Sequence, residues 1–141
     1  MIQIIESKGF SIYISSEKEL PDSLRKYKLE IEPTAIHDIL FHSSLLISDS
    51  QTMSTEAAIL GTPVIRSNSF VGGKDLSNFT ELQKRYKLIF NLRKFKNVTK
   101  ATKYILNNSN VIKKIWDKKR KAMLEDKIDV APFLNSLFVI N

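Results

Sequence analysis

The segment ISDSQTMSTEAAILGTPVIRSN, residues 47–68, has the residue types and spacing of a phosphate-binding turn. Its pattern predicts a strand, a polar turn, a short helix and a second strand. The free amides and positive dipole end of such a helix favour an anion, and ligands of open α/β sheets bind beyond the carboxyl ends of the strands. The sequence therefore predicts a phosphate site formed by Ser48, Ser50, Gln51, Thr52 and Met53.

Glu56 lies one turn into the predicted helix. The apolar stripe of this helix is formed by Met53, Ala57 and Leu60, and Glu56 lies about 60° from its centre. A carboxylate in this position can accept hydrogen bonds from a diol such as ribose, or it can simply complement the positive end of the helix. Both interpretations stay open on these residues alone.

Other catalytic or metal-binding chemistry has little support in the residues. The chain has no cysteine, and its two histidines, His37 and His42, lack the spacing of a helical metal pair, so we expect no protein-bound metal. A triad of Ser50 and His37 with an acid is disfavoured because no GxSxG motif is present. Asp38 and Asp49 fall near the same edge, but no spacing designates a general acid or base.

Alternating elements surround this turn and predict an α/β fold. We expect a Rossmann-like three-layer α/β/α sandwich with a mainly parallel sheet of about five strands, as a single domain over residues 1–141. Residues 110–141 would be a helical extension of that domain. The predicted strands cover 10–15, 27–32, 45–48, 63–67 and 87–92, and the predicted helices cover 35–43, 52–60, 75–86, 98–108, 110–126 and 130–139, after a helix at the N-terminus that ends near Gly9.

The charge of the chain is concentrated in its C-terminal part. Residues 1–80 hold 7 basic and 10 acidic side chains, whereas residues 81–141 hold 15 and 5. The run KKIWDKKRK, residues 113–121, places six basic side chains around one tryptophan. This run is typical of a solvated helix surface, and it could also bind an anionic membrane or polyanion. No nucleic-acid-binding signature accompanies it, so nucleic acid is not an expected partner.

Composition favours a cytoplasmic protein. The chain is 43% hydrophobic and 26% charged, which suits a compact domain with a real core. No apolar run approaches the ~20 residues of a membrane span, and the start lacks the pattern of a signal peptide. We expect a cytoplasmic location, with the basic helices allowing peripheral contact with the inner membrane face.

The run SDSQTMSTEAAILGTPVIR, residues 48–66, resembles the corresponding segment in the C-terminal halves of GT-B nucleotide-sugar enzymes, notably the non-hydrolysing UDP-N-acetylglucosamine 2-epimerases. It is more similar still to a family of epimerase-like, GT-B-like proteins of bacteria and archaea that share the pattern TM-x-x-EAA-x-LG-TP-x-IR. The resemblance continues through SFVGG, LQKRYKLIFN and DKIDVAPFL and so spans nearly the whole chain.

The resemblance implies roles for particular residues. The positions that contact the nucleotide diphosphate in the epimerases are a serine and two glycines, which here read Ser50, Gln51 and Thr52. The glutamate that binds the ribose hydroxyls falls on Glu56. The loop EPTAIHD, residues 32–38, matches the region that holds the base, which places Ile36 or His37 near a uracil. Because two glycines are replaced, backbone approach to the ligand is more restricted than in the epimerases.

The resemblance also implies a missing partner domain. GT-B enzymes consist of two Rossmann-like domains with the chemistry in the cleft between them, and this chain supplies one. We expect a UDP-sugar as ligand and no turnover without an N-terminal half on another chain. The competing interpretations are a stand-alone, non-catalytic binding or regulatory module and a protein whose basic C-terminal helices are the working surface.

The C-terminal segment APFLNSLFVIN is apolar on more than one helical face, and Asp129 is the expected N-cap of its helix. The last helix of GT-B folds commonly crosses to the opposite domain, so the segment predicts either an exposed apolar patch or a homodimer contact. The alternative is an ordinary terminal helix that docks on its own sheet.

Overall fold

A computed structural model describes residues 1–68 and 77–138 of the chain. The SFVGG motif at 69–73, the start of the helix predicted at 75–86 and the end of the C-terminal segment at 139–141 lie outside the described residues.

The centre of the fold is a parallel sheet of three strands in the order β1-β2-β3. The strands are β1 (Leu46–Ser48), β2 (Val64–Arg66) and β3 (Ile89–Asn91). All three residues of β2 are buried, as expected for the middle strand of a parallel sheet covered by helices. The chain is therefore α/β, with a layout consistent with a Rossmann-like fold.

Seven α-helices and two short 3-10 helices accompany the sheet in the described residues. The α-helices are α1 (Ile2–Glu6), α2 (Ile36–His42), α3 (Gln51–Leu60), α4 (Ser77–Lys84), α5 (Phe95–Asn107), α6 (Ser109–Glu125) and α7 (Val130–Phe138). The 3-10 helices span Asp22–Tyr27 and Pro33–Ala35. None of the helices in residues 1–68 and 77–138 combines the length and the apolar character needed to cross a membrane.

The prediction of about five strands is wrong for the described residues, because segments 10–15 and 27–32 do not join the sheet. Their one pairing is an isolated parallel bridge between Ile14 and Lys28. Both segments alternate half-buried and exposed residues, as strands do. Two chain segments joined by one bridge, however, lack the neighbouring strand and the covering layer that would stabilise a ladder.

Gly61 ends α3 and allows α6 to approach it closely. Its φ of +90° is a left-handed conformation that disfavours a side chain. A Cβ atom on Gly61 would lie 2.9 Å from Cδ of Arg120 on α6. Arg120 Nε in turn donates a hydrogen bond of 2.7 Å to the carbonyl oxygen of Ile59. Arg120 thus satisfies a carbonyl at the C-terminal end of α3, where cations are favoured.

The hydrophobic core lies between the sheet and the helices that pack on it, α2 to α6. Its members are aliphatic and aromatic side chains with almost no exposed surface, contributed by α2, α3, β2, α4, β3, α5, α6 and the connection before β3: Leu40, Ala57, Ala58, Val64, Ile65, Phe79, Leu82, Tyr86, Leu88, Ile89, Val98, Ile105, Ile112, Trp116 and Met123.

The described residues of the chain leave the C-terminal helix α7 exposed. Asp129 Oδ1 accepts a hydrogen bond of 3.1 Å from the Ala131 N–H, which caps the start of the helix as predicted. None of the residues of α7 is buried. The apolar residues at 130, 133, 134, 137 and 138 recur at helical spacing and are all exposed. The described part of this segment therefore forms an exposed apolar patch, one of the alternatives that the sequence predicts.

An ion-pair network joins α4 to the segment after α6 and predicts acid sensitivity. Lys127 Nζ lies 2.8 Å from Glu81 Oε1, and this hydrogen bond holds the pKa of Glu81 below its ordinary value. A carboxyl group whose pKa is lowered by folding stabilises the fold above its unfolded pKa, and the contribution is lost as pH falls through the folded pKa. Glu81→Gln is therefore expected to lower the unfolding midpoint at neutral pH.

The difference between Glu81→Gln and the wild type should vanish in acid, below the folded pKa of Glu81. Urea unfolding followed by circular dichroism from about pH 7 to about pH 3 would measure it. Glu125→Gln is the matched control, because Glu125 is exposed on α6 and forms no ion pair in the described residues. A Glu81→Gln deficit that persists unchanged in acid would contradict the prediction.

Candidate functional site

The side chains of two serines hold the turn between β1 and α3 by accepting hydrogen bonds from nearby backbone amides. Ser48 Oγ accepts a hydrogen bond of 3.0 Å from the Ser50 N–H. Ser50 is the N-cap of α3, with φ −70° and ψ 133°, and its Oγ accepts a hydrogen bond of 3.3 Å from the Met53 N–H. These bonds fix the shape of the turn and the start of α3.

The amides of Gln51 and Thr52 are the donors that the turn leaves available. The first N–H groups of a helix have no intrahelical acceptor. The Met53 N–H is bonded to Ser50, whereas the structure shows no acceptor for the Gln51 or Thr52 N–H among residues 1–68 and 77–138. Of the five residues predicted to bind a diphosphate, Ser48 and Ser50 shape the turn, and Gln51 and Thr52 present free amides.

A cleft of about 360 Å³ opens beside these amides. It lies between α3 and α4 and is lined by Gln51, Thr52, Thr55, Glu56, Asn78 and Phe79. A larger depression, of about 580 Å³, lies between α1 and the first 3-10 helix. We place the site in the smaller cleft, because its lining residues include Gln51, Thr52 and Glu56 from the first turns of one helix.

Glu56 and His37 are brought together although they lie 19 residues apart. Glu56 Oε2 lies 3.6 Å from His37 Nε2, across the contact between α3 and α2. Both side chains are accessible to solvent, so the pair contributes little to stability and remains open to a ligand. Ile36, the other predicted base-adjacent residue, packs partly buried against the core.

Arg66 is a residue of this region that the sequence interpretation did not select. It ends β2, pairs in register with Ser48 and is fully buried. Its guanidinium carbon lies 3.9 Å from the centre of the Phe79 ring, and Nη1 donates a hydrogen bond of 3.1 Å to Asn91 Oδ1. Arg66 thereby holds Phe79, which lines the cleft. The sequence signal that could have identified Arg66 is its position as a charged residue at the end of the apolar run PVIR.

The turn is also tied to the end of β2. Asn68 Nδ2 donates a hydrogen bond of 2.9 Å to the carbonyl oxygen of Asp49. The carbonyl that precedes the N-cap is therefore held by the neighbouring strand connection, which limits movement of the turn relative to the sheet.

Comparison with known proteins identifies no relative. No protein-family model, no curated protein and no solved structure matches the chain. The resemblance to the epimerases therefore depends on the sequence alone, chiefly on segment 48–66.

The arrangement is suited to binding an anion that carries a diol. The amides and the positive helix end would hold the negative charge, and Glu56 would accept hydrogen bonds one turn further along the same helix. No group of three or more His, Asp or Glu side chains is placed to hold a metal ion within the described ranges.

Proposed function

We propose that the cleft at the start of α3 binds a nucleotide sugar, with a UDP-sugar as the expected ligand. The observation that carries the proposal is the free amide pair of Gln51 and Thr52 beside a cleft that also contains Glu56. Thr52 and Glu56 are four residues apart, so they lie on one face of α3 and about 6 Å apart along its axis. This spacing suits the diphosphate and the ribose of one nucleotide.

The ligand would lie along α3 towards α2. The diphosphate contacts the amides of Gln51 and Thr52 and the Thr52 hydroxyl, while the ribose hydroxyls donate to Glu56. His37, 3.6 Å from that carboxylate, flanks the position of the base. The resemblance of segment 48–66 to the epimerases supports the same order of phosphate, ribose and base.

The wider proposal is that the chain forms the C-terminal, Rossmann-like half of a GT-B-type glycosyltransferase or epimerase-like protein. It would work in the cytoplasm, in cell-surface polysaccharide biosynthesis, and turn over only with an N-terminal half carried by another chain. The cleft supports a role in binding for this half and a need for the other half in turnover. Its described residues provide groups for binding and no nucleophile with an adjacent base.

Binding of UDP is expected to raise the melting temperature of the chain. At a UDP concentration of about 100 times Kd the stabilisation is about 2.7 kcal/mol, which corresponds to a rise on the order of 5–10 °C for a chain of this size. Glu56→Gln removes the charge that accepts from the ribose and should weaken affinity by roughly tenfold or more. Differential scanning fluorimetry and isothermal titration calorimetry would measure both effects.

The control for Glu56→Gln is Glu125→Gln, an equal change of charge on the exposed surface of α6. CMP, GDP and their sugars, titrated beside UDP, would identify the base. Unchanged melting across this panel, or equal losses in the two variants, would count against the site.

A further inference from the structure

The outer face of α5 carries a row of lysines that form no ion pair with any residue the structure describes. The helix packs against the core through residues that recur at helical spacing: Val98, Thr102, Ile105 and Leu106. On the opposite side lie Lys96, Lys100 and Lys103, which follow one another at i, i+4 and i+7 and are all exposed. The helix contains no acidic residue.

These lysines belong to a long stretch of sequence without acidic side chains. Residues 93–116 contain no Asp or Glu and seven basic residues: Arg93, Lys94, Lys96, Lys100, Lys103, Lys113 and Lys114. All seven are exposed, and the described residues offer their side chains no hydrogen bond or ion pair. Their positive charge is therefore available to an external partner.

The last three cations of the run KKIWDKKRK are occupied, whereas its first two, Lys113 and Lys114, belong to the segment above. Lys119 Nζ donates a hydrogen bond of 2.8 Å to the carbonyl oxygen of Lys87, and Arg120 bonds to Ile59. Lys121 lies 2.9 Å from Asp117. The strongest uncompensated basic surface is thus α5 and the start of α6.

An exposed aromatic side chain accompanies these lysines. Tyr104 is 57% exposed and lies on the same side of α5 as Lys100 and Lys103. Lysine stems around an exposed ring suit the boundary between lipid head groups and acyl chains.

We propose that the outer face of α5 docks the protein on an anionic phospholipid surface. The lysines supply charge attraction, and Tyr104 enters the head-group region. A lipid surface fits better than a nucleic acid, because no nucleic-acid-binding signature accompanies these residues. The inference does not depend on nucleotide binding.

Vesicle co-sedimentation of the full chain tests this surface. The protein should pellet at low salt with vesicles that mix phosphatidylcholine and phosphatidylglycerol and remain in the supernatant with phosphatidylcholine alone. Replacing Lys96, Lys100 and Lys103 together by Gln should weaken binding on the order of a hundredfold, about fivefold for each lysine. The corresponding Lys→Arg triple variant keeps the charge and should keep binding. Binding should fall steeply with added salt.

A matched control removes the same charge elsewhere. Lys18, Lys26 and Lys28 are exposed in the N-terminal part, where acidic residues predominate, and their replacement by Gln should change binding little. Tyr104→Trp adds a fluorophore whose emission should shift to shorter wavelength on anionic vesicles, against the constant signal of the buried Trp116.

Several results would overturn the proposal. Equal losses in the two Gln variants would show that net charge alone attracts the protein. Equal pelleting with neutral vesicles, no pelleting at low salt, or an unshifted emission of the Tyr104→Trp variant would remove the lipid contact. Lysine-dependent binding of an oligonucleotide duplex without vesicle binding would assign the face to nucleic acid instead.

Discussion

Gln51→Pro is expected to weaken UDP binding by roughly tenfold to a hundredfold while the free chain keeps its stability. Gln51 is the first residue of α3, and its amide is one of the two donors that the turn leaves available. Proline lacks that N–H, and a hydrogen bond to a charged group contributes about 1.5–3 kcal/mol. The change therefore removes a proposed ligand contact and no backbone hydrogen bond to the described part of the protein.

The backbone already suits a proline at position 51. Proline is favoured at the first position of a helix and requires an extended residue before it. Ser50 has φ −70° and ψ 133°, which meets that requirement. We expect the melting temperature without ligand to stay the same or rise slightly, because proline restricts the unfolded chain.

The control for this experiment is Gln51→Ala, which keeps the N–H and removes the side chain. Calorimetric titration with UDP should show near-normal affinity for Gln51→Ala and a large loss for Gln51→Pro. Wild-type affinity in the proline variant would rule out phosphate binding by this amide. Equal losses in both variants would point to the glutamine side chain.

The strand, turn, helix and second strand of segment 47–68 were predictable because each boundary has a local signal. Ser50 caps α3 through its own hydroxyl, and Gly61 ends the helix in a left-handed conformation. The strands β1 and β2 precede and follow that helix in the sequence. Both are short, mainly apolar runs, and they pair with each other in parallel. Such signals act within a few residues and do not depend on the rest of the fold.

Segments 10–15 and 27–32 show where local pattern is insufficient. Their alternation of half-buried and exposed residues is that of strands, yet one bridge between Ile14 and Lys28 is all that forms. A strand exists only where a neighbour supplies hydrogen bonds along its length. The presence of that neighbour is a tertiary property, and periodicity carries no information about it.

The composition of the candidate site was also only partly predictable. The sequence predicted the start of α3 at residue 52, one residue from the observed start at Gln51, and so indicated amides without an intrahelical acceptor at this turn. The contact between Glu56 and His37 depends on the packing of α3 against α2 and has no local signal. Arg66 was missed because the apolar run before it indicated a strand, and nothing in the spacing indicated that its guanidinium would stack on Phe79.

Trp116→Ala is expected to destabilise the fold by about 3–5 kcal/mol, the cost of deleting a large aromatic side chain from a core. In the sequence this tryptophan stands among six basic residues and suggests an exposed binding surface. In the structure it is 2% exposed, and its Nε1 donates a hydrogen bond of 3.0 Å to the carbonyl oxygen of Leu88. Its ring also packs near Phe90, with centroids 5.7 Å apart.

Two further variants separate the parts of this effect. Trp116→Phe keeps most of the ring but leaves the Leu88 carbonyl without its buried donor, which should cost about 1–3 kcal/mol. Ile115→Ala, at a neighbouring position that is 39% exposed, should stay close to wild type and serves as the control. Urea unfolding would rank the three variants by their free energy of unfolding. If Trp116→Ala instead kept the wild-type midpoint and lost binding to anionic vesicles, the tryptophan would belong to the basic surface rather than to the core.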